Sequence, residues 1–156
     1  ANDILTYSKQ KNCNILLPID IVTARKLEHN TKTNTSNHDE CPADQMILDV
    51  GQKSIELFKK AINSSKTILW NGPLGAFEIK PFDNATSLLA KFTGKNTMQE
   101  KCISVAGGGD TVSALNSVKV TQQFSYVSSA GGAFLEWLEG KKLPGIEAIK
   151  SSKRII

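Results

Sequence analysis

Histidine, tryptophan, tyrosine and methionine each occur only twice in these 156 residues, and their scarcity limits the chemistry available. The only imidazoles are His29 and His38. Neither stands with a serine or cysteine nucleophile in a recognisable elbow, and no Gly-x-Ser-x-Gly occurs, so acyl-transfer hydrolysis is disfavoured. Cys13, Cys41 and Cys102 are an odd set without Cys-x-x-Cys spacing. That excludes a disulfide scaffold and fits a compartment where thiols stay reduced. His38 and Cys41 are three apart, yet the next imidazole or thiol is His29, which makes a poor zinc set. No apolar run approaches the roughly 20 residues needed to cross a bilayer. The first residues also lack a basic stretch followed by an apolar core. The expectation is a cytoplasmic chain with no membrane partner.

With 40% hydrophobic and 22% charged residues the composition is that of an ordinary globular domain. The net charge of +4 invites a nucleic-acid reading, but Lys and Arg are scattered. The one cluster, Lys150, Lys153 and Arg154, has no interleaved aromatics. Nucleic acid is therefore not an expected partner.

Four short apolar runs read as strands: Ile15 to Leu17, Thr67 to Trp70, Cys102 to Ala106 and Phe124 to Val127. Most are continuous rather than alternating, as in strands buried on both faces. Helical stripes lie among them, with Ile55, Leu57, Phe58, Ala61 and Ile62 in one, Leu88, Leu89 and Phe92 in another, and Phe134, Leu135 and Leu138 in a third. Strands alternating with helices predict an α/β fold, a three-layer arrangement in which helices cover a parallel sheet. The polar stretch from Glu28 to Asp44 has no period and reads as a long loop or a weak edge segment.

In such folds the chemistry collects where strands end and helices begin, and three junctions here are rich in glycine. Gly107-Gly108-Gly109-Asp110-Thr111 precedes a helix through Val112, Ala114 and Leu115. Consecutive glycines let backbone approach a phosphate, and Asp110 at a helix start could cap it or hold a divalent cation. Neither a Walker A loop nor Gly-x-Gly-x-x-Gly is present. At the second junction, Ser128-Ser129-Ala130-Gly131-Gly132-Ala133 makes an anion nest or simply a capped helix. The third, Trp70 to Glu78 (WNGPLGAFE), is a compact loop that could bring Asn71 and Glu78 to one rim, where a carboxylate could accept hydrogen bonds from a ribose diol. Both tryptophans read as packing residues.

Together, WNGPLGAFE, Val105 to Thr111 (VAGGGDT), Val127 to Gly145 (VSSAGGAFLEWLEGKKLPG), Ile15 to Val22 (ILLPIDIV) and Leu48 to Leu57 (LDVGQKSIEL) resemble phosphoglycerate kinase, in the correct order along nearly the whole chain. The resemblance implies an enzyme that transfers phosphoryl between 1,3-bisphosphoglycerate and Mg-ADP, giving 3-phosphoglycerate and ATP in glycolysis, with Mg2+ and ADP or ATP as cofactors. It covers the later part of the C-terminal, nucleotide-binding domain of a two-domain kinase. Residues 1–156 are thus expected to be part of an incomplete Rossmann-like nucleotide domain, inactive alone. The substrate domain that would hold 3-phosphoglycerate lies outside the resemblance. By the same resemblance, Gly108, Gly109, Asp110 and Thr111 match the phosphate loop, with Asp110 near the metal. Asn71, Gly72 and Pro73 match the loop that lines the nucleotide, and Glu78 the ribose carboxylate. Gly131 and Gly132 match the helix start facing the phosphoryl group in flight.

There are departures from the family pattern. Ala130 stands where glycine is usual, which would penalise a positive φ. Ile47 stands where a glycine lies against adenine, and is expected to perturb the base site. Gln52 replaces a usual proline. The alternative reading is a stand-alone, non-catalytic module that binds nucleotide or phosphate.

Overall fold

The computed structural model describes residues 1–128 and 130–152, so Ser129, Lys153 and Arg154 of the readings above lie outside the described residues. Two compact units emerge, one of Ala1–Ser64 with Leu74–Leu89 and the other of Ser65–Pro73 with Ala90 onward.

The first unit opens with helix α1 (Asn2–Gln10) and then builds an antiparallel sheet of β1 (Asp20–Ala24), β2 (Asn34–Asn37) and β3 (Met46–Val50) in the order β2-β1-β3. This sheet was not anticipated. β2, Asn-Thr-Ser-Asn, has almost no strand propensity and forms because Thr23↔Asn34 through Asp20↔Asn37 set its register against β1. The polar stretch is thus in part an edge strand. Ile15 to Leu17, expected as a strand, forms none; Pro18 follows immediately, and no described strand pairs with the run. A small core of Ala24, Leu48 and Phe82, with Val22, Ala76 and Ile79 against it, closes the unit.

Helix α2 (Gln52–Ser64) carries the predicted stripe, with Ile55 fully buried. Its first turn is capped from a distance by the carboxylate of Asp20, which accepts hydrogen bonds from the N–H groups of Lys53 (2.9 Å) and Ser54 (2.8 Å). Helix α3 (Asn84–Met98) starts in the same way. Asp49 on β3, 3% exposed, accepts from the N–H of Ala85 at 3.0 Å and of Val50 at 2.8 Å.

Burial pushes the Asp49 carboxyl up to about 6, a rise opposed by hydrogen bonds from Ala85, Val50 and Asn84 and assisted by the nearby charge of Asp83. A carboxyl that holds its proton more tightly folded than unfolded favours the folded state below about pH 4, and that contribution is lost as pH rises through about 6. Asp49→Asn is therefore expected to remove a fall in stability between these limits. Urea unfolding of both proteins from pH 4 to 7 checks it, and an unchanged slope in the variant contradicts the assignment.

The second unit is a parallel sheet of β4 (Thr67–Asn71), β5 (Ile103–Gly107) and β6 (Tyr126–Ser128), in the order β4-β5-β6. It bears out the α/β class and parallel pairing expected from three of the four apolar runs. Helices α4 (Gly109–Ser117), α5 (Gly131–Leu138) and α6 (Pro144–Ser151) follow, and the later turns of α3 belong here too. Ala90, Ala106, Leu115, Val120 and Phe124 form the core, with Trp70 and Val127 packed on it. β4 alternates exposed and half-buried rather than being buried on both faces. Trp70 packs as predicted, edge-on to Phe124 at 6.2 Å. Trp137 instead stacks on Phe134 at 6.3 Å and stays exposed. Among the described residues no helix is long and apolar enough to cross a membrane.

Candidate functional site

The register of the parallel sheet sets Asn71 beside Gly107 and Gly107 beside Ser128, so the three strands end level and hand their loops to one edge. From there β5 runs directly into α4. Gly108 occupies the N-cap with φ of +102°, a conformation that a side chain would resist, and no side chain caps the helix. Asp110 is consequently not the cap that the sequence allowed. It lies in the first turn of α4 with its carboxylate exposed. At that end the opening N–H groups have no partner within the helix, and the helix dipole adds partial positive charge.

The loops are locked to one another through backbone. The N–H of Gly108 donates to the carbonyl of Ser128 at 3.2 Å. A side chain on Gly131 would put its Cβ 2.7 Å from the Cα of Gly108, so α5 starts directly against the β5–α4 turn. A Cβ on Gly108 would in turn lie 3.8 Å from the Asn71 Oδ1 and 3.9 Å from the Cα of Gly131. Thr111, 1% exposed, accepts a hydrogen bond on Oγ1 from the N–H of Gly72 at 2.7 Å. The Trp70 Nε1–H donates to the carbonyl of Gly72 at 2.9 Å. Gly72 itself has φ of +90°.

Asn71, Gly72, Gly108, Thr111 and Gly131 are therefore brought together at one end of the second unit, with Pro73, Gly109, Asp110 and Gly132 next to them in the chain. Cβ atoms on Gly109 and Gly132 would meet nothing within 4 Å, which leaves open space over both helix starts. Ala130 has φ of −87°, so its methyl imposes none of the strain anticipated from the missing glycine. The Ser128 hydroxyl is used locally, accepting from the Ala130 N–H at 3.1 Å. Glu78 belongs to the first unit and is exposed. Ile47, on β3 of that unit, is 54% exposed. Sequence reasoning missed the joining role of Thr111 and the acceptor role of the Ser128 carbonyl. A carbonyl leaves no mark in residue type, whereas a threonine two residues after the last glycine was a usable signal.

This geometry can cradle an anion: two helix N-termini, a glycine contact too close for any side chain, and one carboxylate at the rim to share a cation with the anion's own oxygens. Asp110 would need such sharing, because no group of three or more His, Cys, Asp or Glu suited to a metal occurs among the described residues.

The family model for phosphoglycerate kinase matches residues 1–141. A phosphoglycerate kinase of Methylorubrum extorquens (strain PA1) is 52% identical over 151 residues, covering 97% of this chain and 38% of that protein. One from Jannaschia sp. (strain CCS1) is 51% identical over 153 residues, covering 98% and 39%. The chain thus spans well under half the length of these relatives. Among solved structures, phosphoglycerate kinase from Coxiella burnetii superposes with a TM-score of 0.86 at 40% identity, over 94% of this chain and 37% of that one. The enzyme from Pyrococcus horikoshii OT3, at 22% identity and a TM-score of 0.72 over 96% and 37%, shares the fold.

Proposed function

The chain belongs to the phosphoglycerate kinase family, and from that we propose that it forms the later part of the nucleotide-binding domain of an enzyme passing phosphoryl between 1,3-bisphosphoglycerate and Mg-ADP, with 3-phosphoglycerate and Mg-ATP as products. The observation that carries the proposal is the contact of Gly131 with Gly108, which places two helix N-termini side by side with open space above them. Phosphoryl transfer depends on positioning and charge neutralisation more than on a strong base, and this end of the sheet offers both without any histidine.

In this reading the N–H groups of Gly109 and Thr111 hold nucleotide phosphates that lie over Gly108, whose own N–H is taken by the Ser128 carbonyl, and those of Gly131 and Gly132 face the group being transferred. Asp110 would hold Mg2+ jointly with phosphate oxygens; the bound ion neutralises charge between the phosphates. Thr111 positions the Asn71–Pro73 loop through Gly72, so that this loop can line the nucleotide. Glu78 accepts from the ribose hydroxyls. Ile47 crowds the base site, so adenine is discriminated from guanine only weakly. A cytoplasmic location and the binding of 3-phosphoglycerate by a domain outside this chain belong to the same proposal.

The test is a coupled assay on two proteins: this chain alone, and a full-length chimera in which it replaces the matching stretch of a relative. The chain alone is expected to show no turnover, because both substrates must be held in line, and the chimera to be active. Turnover by the chain alone contradicts the reading, as does an inactive but folded chimera that still binds ADP, the behaviour of a non-catalytic module. In the active chimera, Asp110→Asn is expected to lower kcat/KM by about 10²-fold or more, with the melting temperature little changed because its carboxylate is exposed. A lower melting temperature with normal kinetics would make Asp110 structural.

A further inference from the structure

A second concave, cationic surface lies in the first unit, separate from the glycine junctions. Where β1 ends, and where β2 and β3 begin beside it, a cleft of about 630 Å³ is lined by polar and basic residues. Arg25 and Lys26 leave the end of β1, and Lys32 and Thr31 come from the connection to β2. Asn34 opens β2, and Gln45 stands just before β3.

This lining is organised. The Thr23 hydroxyl donates to the carboxamide oxygen of Gln45 at 2.7 Å, with the carbonyl of Asn34 a more distant alternative acceptor at 3.4 Å. With its oxygen occupied, the Gln45 side chain is left with its NH2 to donate. Asp44 pairs with Arg25 at 2.7 Å, and Glu28 pairs loosely with Lys26 at 3.7 Å. Lys32 has no ion pair within 4.0 Å among the described residues. Three cations therefore converge on one concavity with two acids beside them, and the weaker acid contact is one that a stronger anion can displace. A concave surface focuses the field of such charges, and the excess of cationic donors over the two acids suits a ligand that only accepts.

We propose that this cleft binds a small multivalent phosphate, with Arg25 and Lys32 as the principal contacts and Lys26 exchanging Glu28 for the ligand. A guanidinium can grip two phosphate oxygens at once, while an ammonium supplies a point charge, so the two lysines and the arginine fit different oxygens of one ligand. The proposal does not depend on the kinase reading, because it uses none of the residues at the glycine junctions.

The test is a residue-resolved amide NMR titration of this chain with inorganic pyrophosphate, at constant ionic strength maintained with sodium chloride. Amides of Arg25, Lys26, Thr31, Lys32 and Gln45 are expected to shift together and saturate. The Arg25→Gln/Lys32→Gln double variant is expected to weaken that binding at least tenfold, and the rise in melting temperature that pyrophosphate gives the parent chain should shrink with it. Shifts that saturate only at Gly108–Thr111 and Gly131–Ala133 would overturn the proposal. So would cleft shifts that never saturate, or that the double variant leaves unchanged. If a short RNA saturates the cleft and pyrophosphate does not, the ligand class is wrong.

Discussion

Alanine at Gly131 is expected to lower kcat/KM of the full-length chimera by about 10²-fold, the scale on which a displacement near 1 Å is felt in a positioned site. The new Cβ would fall 2.7 Å from the Cα of Gly108 and 3.2 Å from its nitrogen. Both are backbone atoms, so no rotamer change relieves the contact; α5, the β5–α4 turn, or both must move. Such overpacking costs about 1–3 kcal/mol of stability, well short of unfolding a typical domain. What it displaces is the relation between two helix N-termini on which the transfer geometry rests. Gly145, in α6 with open space around it, is the control: alanine there is expected to be neutral or slightly stabilising. A Gly131→Ala enzyme with parental kcat/KM would show that the two helix starts do not act together.

The glycine junctions were legible in the sequence because their signal is local. Gly107 to Thr111 follows an apolar run and precedes a helical stripe, and strand, turn and helix fall where those residues put them. The parallel sheet was legible for the same reason. The antiparallel sheet was not, because β2 is made only of Asn, Thr and Ser and its pairing is decided by β1, ten residues earlier. Distant capping was equally silent. Asp20 and Ser54 are 34 apart, and Asp49 and Ala85 are 36 apart, so neither carboxylate resembles an N-cap in the sequence, where the cap is sought next to its helix. Ile47 shows the other limit: the family pattern marked it as unusual, but burial depends on pairing, and β3 leaves it exposed.

Loss of the Asp20 cap is expected to be the costliest single change in the first unit. Asp20 is 4% exposed and its carboxylate accepts from the N–H groups of Lys53 and Ser54 and, at 2.5 Å, from the Ser54 hydroxyl. That hydroxyl oxygen accepts in turn from the N–H groups of Ile19 at 2.9 Å and Asp20 at 3.1 Å. Burial alone would push the carboxyl up, but the Ser54 hydroxyl, the Ser54 and Lys53 amides and the Lys53 charge together hold it below its ordinary value. Its contribution is therefore present above about pH 4 and lost as pH falls through the folded value, opposite in sign to that of Asp49. Asp20→Ala leaves helix N–H groups without their partner and is expected to cost about 2–4 kcal/mol at pH 7. Gly51→Ala should cost a similar amount by another route, since its Cβ would lie 2.2 Å from the Asp20 Oδ2 and expel the carboxylate. If both act through one cap, their effects cannot add. With Asp20 already alanine, the Gly51 methyl meets no carboxylate, and the double variant should be little less stable than Asp20→Ala alone. Urea unfolding of the four proteins at pH 7 measures this coupling; additive losses would mean that Gly51 is needed for something other than room for Asp20.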